Sequence, residues 1–282
     1  MTQPRSRFAQ IGGTSLHYLE WGAPGERAVV IWHALTGRCS DHAPLASALA
    51  AHGHYVIAPD APGCGLSSWS PAPEADYSLA GNARAVLGLL AEKNVKELDW
   101  LGSSVGGFLG ISIAAANASI PVRRLILNEV GLVLDKALHE PLRVMLASPL
   151  GFDEFPGYEA HLRKFLTRGG VTEGDDFFRN IAVAWSRRRD DGQFTSHHDP
   201  RLSFQFTHSP EDFDMREAYR AVTKPTLVLR AATKPIIFEA EAEELASTGP
   251  KARVIDRAGG HISFLNDAET QNQILHFLKA GS

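Results

Sequence analysis

The chain has 282 residues, 44% of them hydrophobic and 21% charged; it can bury a large core, and so ordinary a composition excludes disordered, collagen-like and repeat proteins. Against 28 Lys and Arg stand 32 Asp and Glu, a net charge of −4, so no basic field points to nucleic acid or an anionic membrane. Two cysteines, Cys39 and Cys64, are too few for a disulfide framework, the first residues lack the apolar stretch of a signal peptide, and no run approaches the ~18 apolar residues that span a bilayer. The expectation is a cytoplasmic enzyme. The run Arg187 to Arg189 is answered at once by Asp190 and Asp191 and reads as a solvated local feature.

In chain order, FAQI and SLHYLEW flank Gly12-Gly13-Thr14, a hairpin signal. RAVVIWH is continuously apolar, as parallel strands covered on both faces are. A helix around PLASALAAH, a strand YVIAPD and a helical stretch SLAGNARAVLGLLAEK follow. ELDWLG is a strand ending at a glycine, GGFLGISIAAANA a small-residue helix, and VRRLILNEVG, KPTLVLRAA and ARVIDRAG are further strands. This alternation predicts a largely parallel α/β sheet. It breaks between about Leu132 and Val222, where Phe152, Phe155, Tyr158, Phe165, Phe177, Phe178 and Trp185 suggest short amphipathic helices. That stretch is too long for a loop, so residues 132–221 are read as an inserted helical cap, with 1–131 and 222–282 as the core.

Gly102-Ser103-Ser104-Val105-Gly106 matches G-x-S-x-G between a predicted strand and a predicted helix. A serine on such a turn is held in a strained conformation that glycines on either side permit, with its hydroxyl raised above the strand end. Ser103 competes, but only Ser104 has glycines at both −2 and +2, so Ser104 is the candidate nucleophile. Acyl transfer needs two N–H groups aimed at the developing oxyanion. Val105 follows the nucleophile, and Leu35 in His33-Ala34-Leu35-Thr36-Gly37 is the candidate second donor. His33 reads as a brace for that loop, and Asp60 to Ser67 as a structural Gly-rich turn.

The HALTG loop, the D-x-P-G-x-G-x-S turn, the GSSVG elbow and the late GGHISFLNDAE segment together resemble the α/β-hydrolase fold family, in the family's order and over nearly the whole chain. The resemblance implies an eight-stranded, mostly parallel sheet with a cap between strands six and seven.

Of the twelve histidines, His261 follows the last strand in a glycine-framed loop and is the candidate base. His276 sits at helical spacing and reads as structural. His197-His198-Asp199 lacks a third ligand at useful spacing, so no metal is expected, nor any cofactor. Where the family usually carries its acid, after strand seven, this chain reads VLRAATKPII, with Lys234 in the aspartate's place beside neutral Thr233. Glu129, at the end of strand six, is the other position the family uses and is the candidate acid. Glu239 is the chief rival, Glu241 would lie inside the following helix, and Asp256 lies within the last strand. Lys234 is then a solvent-facing lysine or a contact for a substrate carboxylate.

A serine nucleophile suits acyl transfer, and the aromatic insert suggests a closed apolar pocket. The leading expectation is hydrolysis of a small-to-medium carboxylic ester through Ser104, His261 and Glu129. Carbon–carbon or amide hydrolysis, cofactor-free oxygenation by the His–acid pair, and a non-catalytic ligand receptor stay open. A homodimer is among the assemblies open to such a chain.

Overall fold

The computed structural model describes residues 3–116, 118–208 and 210–279. Its strands are β1 (Arg5–Ile11), β2 (Thr14–Trp21), β3 (Arg27–Trp32), β4 (Val56–Pro59), β5 (Glu97–Ser103), β6 (Val122–Asn128), β7 (Ser186–Arg188), β8 (Phe194–Ser196), β9 (Thr226–Ala231) and β10 (Arg253–Arg257). Its helices are α1 (Ala43–Ala51), α2 (Pro73–Asp76), α3 (Leu79–Glu92), α4 (Val105–Ala115), α5 (Lys136–Ala147), α6 (Phe155–Arg168), α7 (Asp175–Trp185), α8 (Gln205–His208), α9 (Arg216–Ala221), α10 (Glu239–Ser247) and α11 (Ala268–Lys279).

Eight strands form one sheet in the order β1-β2-β4-β3-β5-β6-β9-β10. β1 and β2 pair antiparallel through Gly12 and Gly13, both at positive φ, and β2 is antiparallel to β4; every other neighbouring pair is parallel. Successive side chains on a strand face opposite ways, and the core divides accordingly. Val30, Trp100, Leu125, Leu127 and Val228 pack with the buried residues of α3 and α4. Val29, Ile31, Leu101, Ile126, Leu227 and Leu229 pack with α1 and α11 on the other face. Burial on both faces explains why these strands read as unbroken apolar runs. α3 begins where Ser78 accepts a hydrogen bond from the Gly81 N–H.

Between β6 and β9 the chain forms α5 to α9 and the antiparallel pair β7–β8. The insert is thus not wholly helical. Gly192 at φ 85° turns the chain between β7 and β8, and the arginine run is not simply solvated: Arg187 lies over Trp69 and Arg188 over Phe194, 4.8 and 4.1 Å from the ring centroids. α6 and α7 share a cluster of Tyr158, Leu162, Leu166, Phe178 and Trp185 with Phe264 from beyond β10. Among the described residues no helix is long and apolar enough to cross a membrane.

Candidate active site

β3, β5, β6, β9 and β10 run parallel, so the loops after them gather at one edge of the sheet, where ligands bind in open α/β sheets. Ser104 follows β5 with φ 52° and ψ −121°. Few L-residues adopt that conformation, and neighbouring glycines make room for it: a Cβ on Gly106 would stand 2.7 Å from the Trp32 carbonyl oxygen, and one on Gly102 would strike that of Gly106. The Ser104 N–H donates to the Asn128 carbonyl (3.0 Å), tying the turn to the end of β6. Val105 opens α4, so its N–H has no intrahelical acceptor.

Ser104 and His261 line one cavity of about 50 Å3 with Ala34, Asp41, His42 and Trp185 among the other lining residues. His261 Nδ1 lies 3.3 Å from Glu129 Oε2. Glu129 is fully buried at φ 51° just past β6, and its oxygens accept the N–H groups of Ala231 (2.7 Å) and Ile236 (2.8 Å). Burial alone would raise its pKa, but the hydrogen bonds from His261, Ala231 and Ile236 outweigh burial and hold it below the usual glutamate range. An ionised carboxylate only accepts, so the contact calls for a proton on His261 Nδ1, the tautomer in which Nε2 is the ring's accepting nitrogen.

The end of β9 and the loop after it, in which Lys234 replaces the family's usual aspartate, each donate a backbone N–H to a carboxylate arriving from β6. Lys234, at φ 47°, reaches across to the Arg168 carbonyl (3.2 Å). The rival acids lie elsewhere: Glu239 (2.6 Å) and Asp256 (2.7 Å) pair with Arg230 on the surface, and Glu241 accepts the Leu132 N–H. The rival serine is engaged too, since buried Ser103 accepts from Asn128 Nδ2 (3.0 Å) and lies 2.9 Å from His42 Nε2.

The Leu35 side chain faces the main core, and Ala34 lines the cavity in its place. The Ala34 carbonyl takes hydrogen bonds from Gly37 N (2.9 Å) and His33 Nδ1 (2.6 Å). A trans peptide directs the Leu35 N–H the opposite way. His33 also accepts the Ala61 N–H (3.0 Å) at Nε2, and its burial lowers its pKa, so it braces the loop as a neutral ring.

Sequence reasoning missed Asp41 and His42. Asp41 joins the HALTG loop to the insert: Oδ1 accepts Trp185 Nε1 (2.9 Å) and Oδ2 the Arg38 N–H (2.9 Å), while burial raises its pKa to about 7. The His197-His198-Asp199 segment is a second fastening: His197 accepts the Gly65 N–H (2.8 Å), and Asp199 accepts Tyr77 Oη–H (2.5 Å). His17, Cys39 and Asp60 lie close enough together for a metal, but His17 is bonded to Asp60 (2.7 Å) and Ser6 (2.8 Å), and Asp60 also accepts the Cys39 N–H (2.7 Å), so the imidazole and the carboxylate are already engaged with the protein. His276 is exposed on α11.

Residues 27–268 match the family model described as alpha/beta hydrolase fold. The chain belongs to the α/β-hydrolase fold family. Over 260 residues it is 33% identical to a 3-hydroxybutyrate-oligomer hydrolase of Cupriavidus necator, covering 87% of each protein. Among solved structures it resembles an alpha/beta hydrolase from Novosphingobium aromaticivorans (TM-score 0.83, 24% identity, 99% of each chain). It also resembles E-2-(acetamidomethylene)succinate hydrolase (TM-score 0.83, 22% identity, 99% of this chain and 100% of that one). These structural likenesses concern the fold, an eight-stranded, mostly parallel sheet flanked by helices.

Proposed function

We propose that the protein is a serine hydrolase of carboxylic esters, with Ser104 as nucleophile, His261 as base and Glu129 as the acid that orients it. One observation carries the reading: a buried carboxylate, held ionised by two backbone N–H groups, meets the histidine that shares a cavity with a serine on a strained strand-to-helix turn. Ser104 Oγ attacks the ester carbonyl as His261 Nε2 takes its proton. Glu129 stabilises the imidazolium, and the N–H groups of Leu35 and Val105 receive the oxyanion. His261 then protonates the departing alcohol, and water activated by the same ring releases the acid from Ser104.

The cavity has room for a short acyl group, and residues 132–221 act as a cap that closes it, fastened through Asp41–Trp185 and His197–Gly65. Because the relative from Cupriavidus necator is a 3-hydroxybutyrate-oligomer hydrolase, short 3-hydroxyacid esters are the proposed substrate class. The test is labelling by a fluorophosphonate together with hydrolysis of p-nitrophenyl butyrate and of the linear 3-hydroxybutyrate dimer. Labelling should vanish in Ser104→Ala; a wild-type protein that is neither labelled nor active on either ester refutes the reading.

A further inference from the structure

The strands that precede Ser104, Glu129 and His261 each end in a buried polar residue: Ser103 on β5, Asn128 on β6 and Arg257 on β10, at 4%, 2% and 2% exposure. The first two immediately precede Ser104 and Glu129, and they are direct cross-strand neighbours. Arg257 Nε donates to Asn128 Oδ1 (2.7 Å), and Asn128 Nδ2 donates to Ser103 Oγ (3.0 Å). A guanidinium only donates, so Asn128 must turn its oxygen toward Arg257 and its NH2 toward Ser103. Ser103 then gives its own proton to His42 Nε2 (2.9 Å), and every group in the chain has its role set by the cation at its head. The rest of the guanidinium grips the histidine loop, with Nη1 on the Ala258 carbonyl (2.9 Å) and Nη2 on those of Gly260 (3.0 Å) and His261 (3.3 Å).

Among the described residues Arg257 is therefore a buried cation whose direct acceptors are all neutral, with Glu129 and Asp267 acting on it through space. An apolar residue at a strand end would be easier to bury. What this arrangement supplies is a rigid link between the residues preceding the serine and the acid and the backbone of the histidine itself. We propose that Arg257 is a positioning residue that fixes His261 relative to Ser104 and Glu129 through Asn128, Ser103 and the carbonyls of Gly260 and His261. This inference rests on the catalytic roles proposed above.

The test compares Arg257→Lys, Arg257→Ala and Ser103→Ala with wild type on p-nitrophenyl butyrate, with folding checked by circular dichroism and thermal melting. A lysine keeps the charge and loses the fork. Since misplacement by ~1 Å can cost about 100-fold, kcat of Arg257→Lys should fall about 10- to 100-fold with KM within about two-fold. Ser103→Ala cuts the relay but leaves the grip on the carbonyls, so its kcat should fall less, about three- to ten-fold. Millimolar guanidinium should restore at least about ten-fold activity to Arg257→Ala, whereas urea at the same concentration should not. A folded Arg257→Lys at wild-type kcat overturns the inference, as does Arg257→Ala activity that follows only the folded fraction and ignores guanidinium. If Arg257→Ala does not fold, the other two variants decide by the same kcat criterion. A wild type without labelling or esterase activity refutes the catalytic reading and this inference with it; an active wild type with unaffected variants refutes this inference alone.

Discussion

Replacing Glu129 by Gln keeps the shape, removes one charge and turns one acceptor into a donor. The wild-type carboxylate meets three N–H groups, those of Ala231 and Ile236 and His261 Nδ1. A glutamine oxygen placed toward Ile236 and His261 leaves its NH2 facing the Ala231 N–H, and one such buried conflict costs about 1–3 kcal/mol of stability. The catalytic loss is larger. At 3.3 Å, with an effective dielectric of about 20, the carboxylate–imidazolium attraction is about 5 kcal/mol. His261 is 28% exposed in its side chain, so solvent screens part of that attraction. The expected result is a fall in kcat of about 100- to 1,000-fold, taking ~1.4 kcal/mol per decade, with KM nearly unchanged. The assay is steady-state hydrolysis of p-nitrophenyl butyrate, alongside urea unfolding to establish that the variant is native. Near wild-type turnover by folded Glu129→Gln would refute the assignment and direct attention to Glu239, whose own substitution by Gln should otherwise leave kcat within about two-fold because it pairs with Arg230 at the surface.

Ser104→Gly should abolish fluorophosphonate labelling yet raise stability by about 1 kcal/mol, because it relieves a serine held at φ 52°; a lower melting temperature would contradict that strain. Gly106→Ala places a Cβ 2.7 Å from the Trp32 carbonyl oxygen and should lower stability by about 3 kcal/mol, read as a shift in the urea midpoint. Burial lowers the pKa of His197 to about 3, below its unfolded value of about 6.5. Its contribution is therefore complete above about pH 6.5 and is lost as pH falls toward 3, amounting to about 2 kcal/mol between pH 7 and 5. His197→Asn, which can still accept the Gly65 N–H, should show a correspondingly smaller fall over that interval; an unchanged slope would show that His197 does not resist protonation in the fold.

The legible parts of the site were those with local signatures. GSSVG lies between a strand and a helix because the turn itself demands small neighbours, and Lys234 in place of the family's usual aspartate leaves Glu129 as the carboxylate the sequence offers for the proposed acid. The insert was legible as an interruption of the alternation, but its β7–β8 pair was not, because three-residue strands carry too little periodicity to register.

The sequence by itself determined the order of the core strands and helices, and it put forward the strand ends and the few residues proposed for the chemistry, since these follow from periodicity and turn chemistry among near neighbours. Only the tertiary structure decided how those ends are joined. Asn128 and Arg257 are 129 positions apart, and Asp41 and Trp185 are 144 apart. Nothing local marks such pairs, because they exist only once parallel strands bring their ends to one edge and exclude water from the space between them.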